Sequence, residues 1–335
     1  MFWSDSDDFD NNVITHNEIY NCDRQGIYIG GETTSYSSQG NVITENVIHD
    51  NGRYTYPNGP DASAYGIQLS FADSNLIQDN EIYGHDDWFP YPGFDFAQGI
   101  YLYDSNDNTI TNNNLHNNNY GVGIWRPSRA AGTNFVNYNN IAGNTGYGIR
   151  IFDGTPAVDA RFNWWGTSSG PTHSSNTGGT GDKISNYVDY SPWLGFVVGT
   201  SPMTWHVNPT GTIQEAIDEA SSGDTILVHD GTYNEALYID KNLIIKAAST
   251  PIIKGGQLRA TNYGNRQATI FVENAGNVVL QDLDVEGAWL GVPGGTKSYA
   301  ILYENSGGKV QNCTVSPNAV GDMFSTAIAA WGNSI

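Results

Sequence analysis

NVITHNEIY, residues Asn12–Tyr20, returns as NVITENVIH at Asn41–His49, NLIQDNEIY at Asn75–Tyr83, NTITNNNLH at Asn108–His116 and NFVNYNNIA at Asn134–Ala142. The copies are offset by 29, 34, 33 and 26 residues. Each is followed by a second phrase: GIYIGG at Gly26, GIQLS at Gly66, GIYLY at Gly99, GVGIW at Gly121 and GIRIF at Gly148. The runs alternate apolar and polar with period two and are broken by Asn, Asp and Gly, so they read as short strands. A repeat of this length, too small to bury its own apolar face, must stack on its neighbours.

The aliphatic positions then become columns inside a tube. Ile14, Ile43, Ile77, Ile110 and Val136 form one, Ile19, Ile48, Ile82, Leu115 and Ile141 a second, and Ile27, Ile67, Ile100, Val122 and Ile149 a third. Asn17, Asn46, Asn80, Asn113 and Asn139 share one position between the first two columns. A buried amide is costly unless paired, and stacking pairs every member with the next, so these read as an internal asparagine ladder. The glycines that open each third strand are expected where φ is positive. The fold class is therefore all-β: a parallel β-helix, with one short capping helix near 212–221. There Thr212 and Glu215 form a capping box, and Ile213, Ala216, Ile217 and Ala220 make one apolar face.

The phrases resemble the right-handed parallel β-helix repeats of the pectate-lyase-like, carbohydrate-binding and sugar-hydrolase superfamily, in the Asn-rich form seen on cell surfaces. The resemblance implies an extracellular or surface location and a right-handed coil. It implies little about activity, because the repeat encodes only stacking. Residues 155–202 resemble a C-terminal closing segment, with Trp164, Trp165 and Trp193 placed to cover an open tube end. The helix resembles the cap that opens many β-helices. The expected organisation is thus coils over 1–154, a closing segment over 155–202, and a second start over 203–335. Both ends of the sequence read as mid-coil, which is compatible with a tandem array, with end-to-end self-association into a filament, or with shielded ends.

The formal charge is −21, and there is no lysine before Lys183. That excludes a duplex nucleic-acid partner, which needs clustered basic residues. No run of 18 apolar residues exists, so no membrane insertion is expected, and no secretory signal is legible in this sequence. Cys22 and Cys313 are too isolated for a disulfide framework or metal motif. Cys313 falls at the ladder position and reads as a small buried filler. Asn312-Cys313-Thr314 matches a glycosylation sequon in the same turn, which is expected to be buried.

Outward positions carry the candidate chemistry. His49, Tyr83 and His116 lie on one stripe, and a Tyr/His pair there, with Arg53 or Arg126 neutralising a carboxylate, suits proton transfer in uronate elimination or epimerisation. A glycosidase would instead need two carboxylates across a cleft, from Asp61, Asp86, Asp87 and Asp95. Tyr54, Tyr56, Trp88 and Tyr91 on two long loops, and Tyr101, Tyr103 and Trp125 on the third strands, are candidate sugar-stacking residues; packing against each other is the alternative. Asp5, Asp7, Asp8 and Asp10, and separately Asp86 and Asp87, are candidate Ca²⁺ ligands, though the full calcium-loop pattern is missing and no cofactor is required. The first reading is a stiff, acidic structural or adhesive protein with polysaccharide contact as a secondary role. The alternative is a polysaccharide lyase, epimerase or hydrolase on the outer face.

Overall fold

A computed structural model describes residues 9–31, 37–52, 64–86, 97–125, 133–152, 157–261, 264–287, 290, 297–317 and 325–332. Contacts divide the chain between Val198 and Gly199 into two compact units. Both are parallel β-helices.

In the first unit each repeat contributes three strands to three parallel sheets. The first sheet holds Val13–Thr15, Val42–Thr44, Leu76–Gln78, Thr109–Thr111, Phe135–Asn137, Val158–Asp159 and Val188–Asp189. The second holds Glu18–Tyr20, Val47–His49, Glu81–Tyr83, Asn114–His116 and Asn140–Ala142. The third holds Gln25–Gly30, Ala64–Ser70, Ala97–Tyr103, Tyr120–Trp125 and Tyr147–Ile151. The register is that of the repeat, with Ile14 opposite Ile43, Ile48 opposite Ile82 and Ile100 opposite Val122. The three aliphatic columns fill the lumen, and from the second coil onward their members are essentially inaccessible. Burying each such side chain contributes about 1.5–3 kcal/mol. Trp165 and Trp193 join the same core, whereas Trp164 is half-buried.

The corners explain the Asn-rich composition. At the corner between the first and second sheets the chain passes through one residue at positive φ, and the following side chain then points into the corner. His16, Glu45, Asp79, Asn112, Tyr138 and Phe162 take the positive φ, and Asn17, Asn46, Asn80, Asn113, Asn139 and Asn163 follow them. In mid-stack the pattern is strict. Asn113 Oδ1 accepts from both the backbone N and Nδ2 of Asn80, and Asn113 Nδ2 donates to Thr111 O, Ile77 O and Asn139 Oδ1 at 2.9–3.0 Å. Two more ladders stand at the other corners. Asn12, Asn41, Asn75, Asn108 and Asn134 form one. Cys22, Asn51, His85, Asn118, Asn144 and Asp182 form the other.

The glycines opening the third strands differ from expectation in their reason. Gly26, Gly66, Gly99, Gly121 and Gly148 are not among the positive-φ residues. They are demanded by close approach instead: a Cβ on Gly66 would meet Gly99 O at 2.5 Å, and one on Gly121 would meet Gly148 O at 2.6 Å.

In the second unit Thr204–Val207, Thr225–Val228, Ile244–Ala247, Val278–Gln281 and Gly308–Gln311 follow one another in a parallel sheet. Thr232–Tyr233, Ile252–Gly255, Asp284–Gly287 and Thr314–Ser316 make the next. Leu237–Ile239, Gly264–Glu273, Lys297–Glu304 and Ser325–Trp331 make the third, and Gln257–Thr261 folds back antiparallel on Gly264–Glu273. The helix spans Ile213–Glu219, with Thr212 Oγ1 accepting from Glu215 N at 3.2 Å. Glu235 adds what the sequence did not suggest: its carboxylate accepts from the backbone N of Ile213 and Gln214. Among the described residues no helix is long and apolar enough to cross a membrane.

Two expectations for the turn at residue 312 are corrected. Asn312 takes the positive φ, so its side chain points out and is exposed. Cys313 is half-buried rather than buried, with Sγ 3.3 Å from Gln311 O and 3.6 Å from Leu280 O. The corner turns only Cys313 inward, so the sequon asparagine stands at an exposed position.

Candidate functional site

The second sheet of the first unit carries Tyr20, His49, Tyr83 and His116 on its outer surface, one ring per coil. Parallel pairing holds neighbouring strands about 4.8 Å apart, and the rings adopt that spacing as a continuous stack. Their centroids are 5.1, 4.9 and 5.0 Å apart, with interplanar angles of 7°, 3° and 8°. Both faces of His49 and Tyr83 are therefore covered by neighbouring rings.

The imidazole edges are also engaged. His49 Nδ1 lies 2.9 Å from Asp50 Oδ2, and Nε2 lies 3.4 Å from Glu18 Oε1. His116 Nε2 lies 3.3 Å from Glu81 Oε1, and Nδ1 accepts from Asn117 Nδ2 at 3.1 Å. Partial burial, then Glu81, Asp50 and Glu18, raise the Tyr83 phenol above its ordinary value. A phenol so placed keeps its proton at neutral pH, which suits a donor better than a base.

The outer surface of the third sheet is aromatic. Tyr101 is buried against Tyr65, with centroids 4.7 Å apart. Tyr103 sits edge-on between Phe71 and Trp125 at 5.4 and 5.6 Å. Trp125 is 39% exposed and offers the most accessible of these rings. Next to them Arg150 lies over Tyr120, Tyr147 and Phe152, with its guanidinium carbon 4.6–5.3 Å from the ring centres. Arg150 Nη1 also donates to Tyr120 Oη.

Arg53, Tyr54, Tyr56, Trp88, Tyr91, Arg126, Asp5, Asp7, Asp8, Asp61, Asp87 and Asp95 lie outside the described residues. Asp10 is exposed and accepts from Gln39 N, and Asp86 is exposed. Among the described residues no three His, Cys, Asp or Glu side chains converge as a metal site.

His85, at a third-ladder corner, had no role in the sequence reading. It is wholly buried, with Nδ1 2.9 Å from Asn118 Oδ1 and Nε2 3.2 Å from Asn51 Nδ2. Those partners assign the neutral form with the proton on Nδ1. Burial outweighs the Asn118 bond and lowers its pKa to about 4.

The second unit carries charged groups on the outer surface of its third sheet, also without a sequence signal strong enough to single them out. Glu273 and Glu304 are register partners, and Trp331 follows Glu304 on the next strand. Tyr238 Oη donates to Glu273 at 3.0 Å, and Arg259 lies 3.7 Å above the Tyr238 ring.

With the coils, corners and outer stripes in place, comparison with known proteins is informative about the fold. Residues 4–164 match the family described as the right-handed beta helix region. That span is a right-handed β-helix. No curated protein matches the chain. Among solved structures, a PL6 family alginate lyase, AlyGC, is 12% identical, with 92% of this chain and 74% of that chain covered at a TM-score of 0.24. An arginine-to-alanine mutant of AlyGC is 11% identical, with 93% and 74% covered at the same TM-score. At that TM-score neither likeness supports an activity for this β-helix.

Proposed function

We propose that this right-handed β-helix is an extracellular structural or adhesive protein, and that the Tyr20–His49–Tyr83–His116 column serves to stiffen the coil stack rather than to turn over a substrate. The observation that carries this reading is the ring stack. It closes both faces of His49 and Tyr83, and carboxylates occupy both His49 nitrogens, so a substrate finds no free imidazole edge there. Contact with polysaccharide on this unit falls to Trp125 and Tyr103, whose rings stand on the neighbouring sheet.

The test is to incubate the purified chain, with and without Ca²⁺, with neutral and acidic polysaccharides, following reducing ends and unsaturated products. His49→Ala and His116→Ala serve as controls. No product, together with a lower melting temperature for both variants, supports the structural reading. Cleavage abolished by both variants, while they stay folded, overturns it in favour of a lyase, epimerase or hydrolase on this stripe.

A second reading, end-to-end self-association, is favoured by the rim of the coil formed by residues 12–30. Ile14, Ile19 and Ile27 line a cavity of about 300 Å³ there, and among the described residues nothing donates to Asn12 Oδ1 or Asn17 Oδ1. A further coil from a second copy would fill the first and donate to the second. Sedimentation that grows with concentration in the wild type and stays monomeric in Ile19→Arg supports it; a monomer at every concentration removes it.

A further inference from the structure

The closing segment of the first unit carries a group of polar side chains that covering a tube end does not require. Pro171–Thr172 and Gly181–Lys183 pair as short parallel strands. Between them the chain makes a tight turn over residues 173–176, with Asn176 N donating to His173 O at 3.0 Å. Asn176 Nδ2 donates to Ser169 O and Pro171 O at 2.9 and 3.0 Å and pins the turn in place. Tyr190 is buried in the core beside Trp165 and Trp193, and its Oη lies 2.9 Å from Ser175 Oγ.

Four side chains then form one hydrogen-bonded series. His173 Nδ1 lies 2.7 Å from Ser175 Oγ and accepts from Ser175 N at 3.2 Å. His173 Nε2 lies 3.1 Å from Asn186 Oδ1. These partners assign the protons. A backbone N–H can only donate, so Nδ1 is the bare nitrogen, and Nε2 carries the hydrogen that it donates to Asn186. With Nδ1 an acceptor, the Ser175 hydroxyl donates to it, and Tyr190 Oη donates to Ser175 Oγ.

Capping a turn needs one acceptor, which an asparagine supplies with a shorter side chain. The imidazole here uses both nitrogens, one facing a hydroxyl and the other held by an amide oxygen. Nucleophile, base and orienting group in that order are what acyl transfer requires, and such a set is recognised by role rather than by position in the chain. Ser175 and Asn186 are exposed and His173 is half-buried, so the hydroxyl is open to a substrate from solvent. Thr177 and Gly178 follow, both exposed, and a Cβ on Gly178 would meet nothing within 4 Å. Their backbone N–H groups have no acceptor among the described residues, which leaves them available to a developing oxyanion. Ser174, Thr177 and Gly178 are small and exposed, so the surroundings suit a short acyl group and cannot bury a long one.

We infer that Ser175, His173 and Asn186 form a hydrolytic site for short acyl esters, with Ser175 as nucleophile, His173 as general base and Asn186 as positioning residue. Nδ1 takes the hydroxyl proton as Oγ bonds to the acyl carbon. The ester C–O bond breaks, and the leaving oxygen takes that proton from Nδ1. Water then gives a proton to Nδ1 as it attacks the acyl carbon, the bond to Oγ breaks, and Oγ recovers the proton. The net change is ester plus water to acid plus alcohol. This site shares no residue with the His49 stripe and does not depend on the reading given for it.

The full chain is treated with a fluorophosphonate probe, and the modified residue is located by peptide mass spectrometry. One-to-one labelling at Ser175 is expected, with none in Ser175→Ala. In His173→Asn the side chain still accepts from Ser175 N but offers no base. Labelling there is expected to be about a hundredfold or more slower, at an unchanged melting temperature. Asn186→Ala leaves the turn intact and is expected to slow labelling about tenfold or more, while Asn186→Asp, which still accepts from Nε2, restores it. Turnover of p-nitrophenyl acetate is expected to follow the same order and to exceed that of p-nitrophenyl decanoate. The inference is overturned if the wild type is not labelled, if the label falls on other residues, or if His173→Asn is labelled at the wild-type rate. Lower melting temperatures in the variants, without labelling of the wild type, mark the series as a turn cap only and overturn it equally. Faster turnover of the decanoate overturns the short-acyl assignment.

Discussion

The same corner is built in two chemistries in the two units. Between the first and second sheets of residues 9–198, each positive-φ residue is followed by an asparagine whose amide bonds to the coils on either side. In residues 199–335 the positive-φ residue is kept, at Asp282 and Asn312, but Leu283 and Cys313 follow it. Leu283 is buried and offers no polar group; Cys313 offers only long sulfur contacts to the two carbonyls that an asparagine would bond. The backbone path therefore fixes the corner, while its filler is free to be an amide ladder or an apolar plug. The ladder differs in one respect that matters energetically: it is cooperative, because each amide satisfies a backbone group of its neighbour.

The largest effect that separates the two corners is expected at Asn113, in mid-ladder. Asn113→Ala leaves the backbone N of Asn80 without its acceptor in a buried corner and removes one further bond each from Asn80 Nδ2, Ile77 O and Thr111 O, of which Asn80 Nδ2 and Thr111 O keep other partners. At about 1–3 kcal/mol for the unpaired amide and about 1 kcal/mol for each further bond lost, the loss should be about 4 kcal/mol, read from urea unfolding. A loss below about 1 kcal/mol would show that the ladder is ornament on a corner the backbone already secures.

Next comes pH. His85 interrupts an amide ladder with a ring held neutral at a pKa of about 4, against 6.5 for the free side chain. Its contribution is intact above pH 6.5. As pH falls from 6.5 towards 4, the unfolded chain takes up the proton first, and about 3 kcal/mol of stability is lost. His85→Asn restores the residue type found elsewhere in that ladder and should flatten this segment of the stability curve. Equal pH dependence in the variant and the wild type would place the titration elsewhere.

Smaller effects close the comparison. Asn17 stands at the end of its ladder and bonds to one neighbouring coil only, so Asn17→Ala should cost about 1 kcal/mol. Cys313→Ala, in the plug-type corner, should cost less still, because sulfur-to-carbonyl contacts at 3.3–3.6 Å are weak. A Cys313→Ala loss as large as that of Asn113→Ala would erase the distinction between the two corners.

The proposed site was less legible than the fold. His49, Tyr83 and His116 could be set on one stripe because the repeat fixes register, but whether their rings splay or stack depends on rotamers that register does not dictate.

The repeated phrase by itself determined the parallel coil, its three aliphatic columns and the asparagine position, because period-two alternation at a near-constant offset leaves no other way to bury those side chains. The tertiary structure alone decided three things. It set the second and third ladders, the close-approach role of the glycines, and which outward groups end up satisfied or orphaned. Each depends on distances between coils, and a sequence specifies which residues become neighbours without fixing how closely their polar atoms meet.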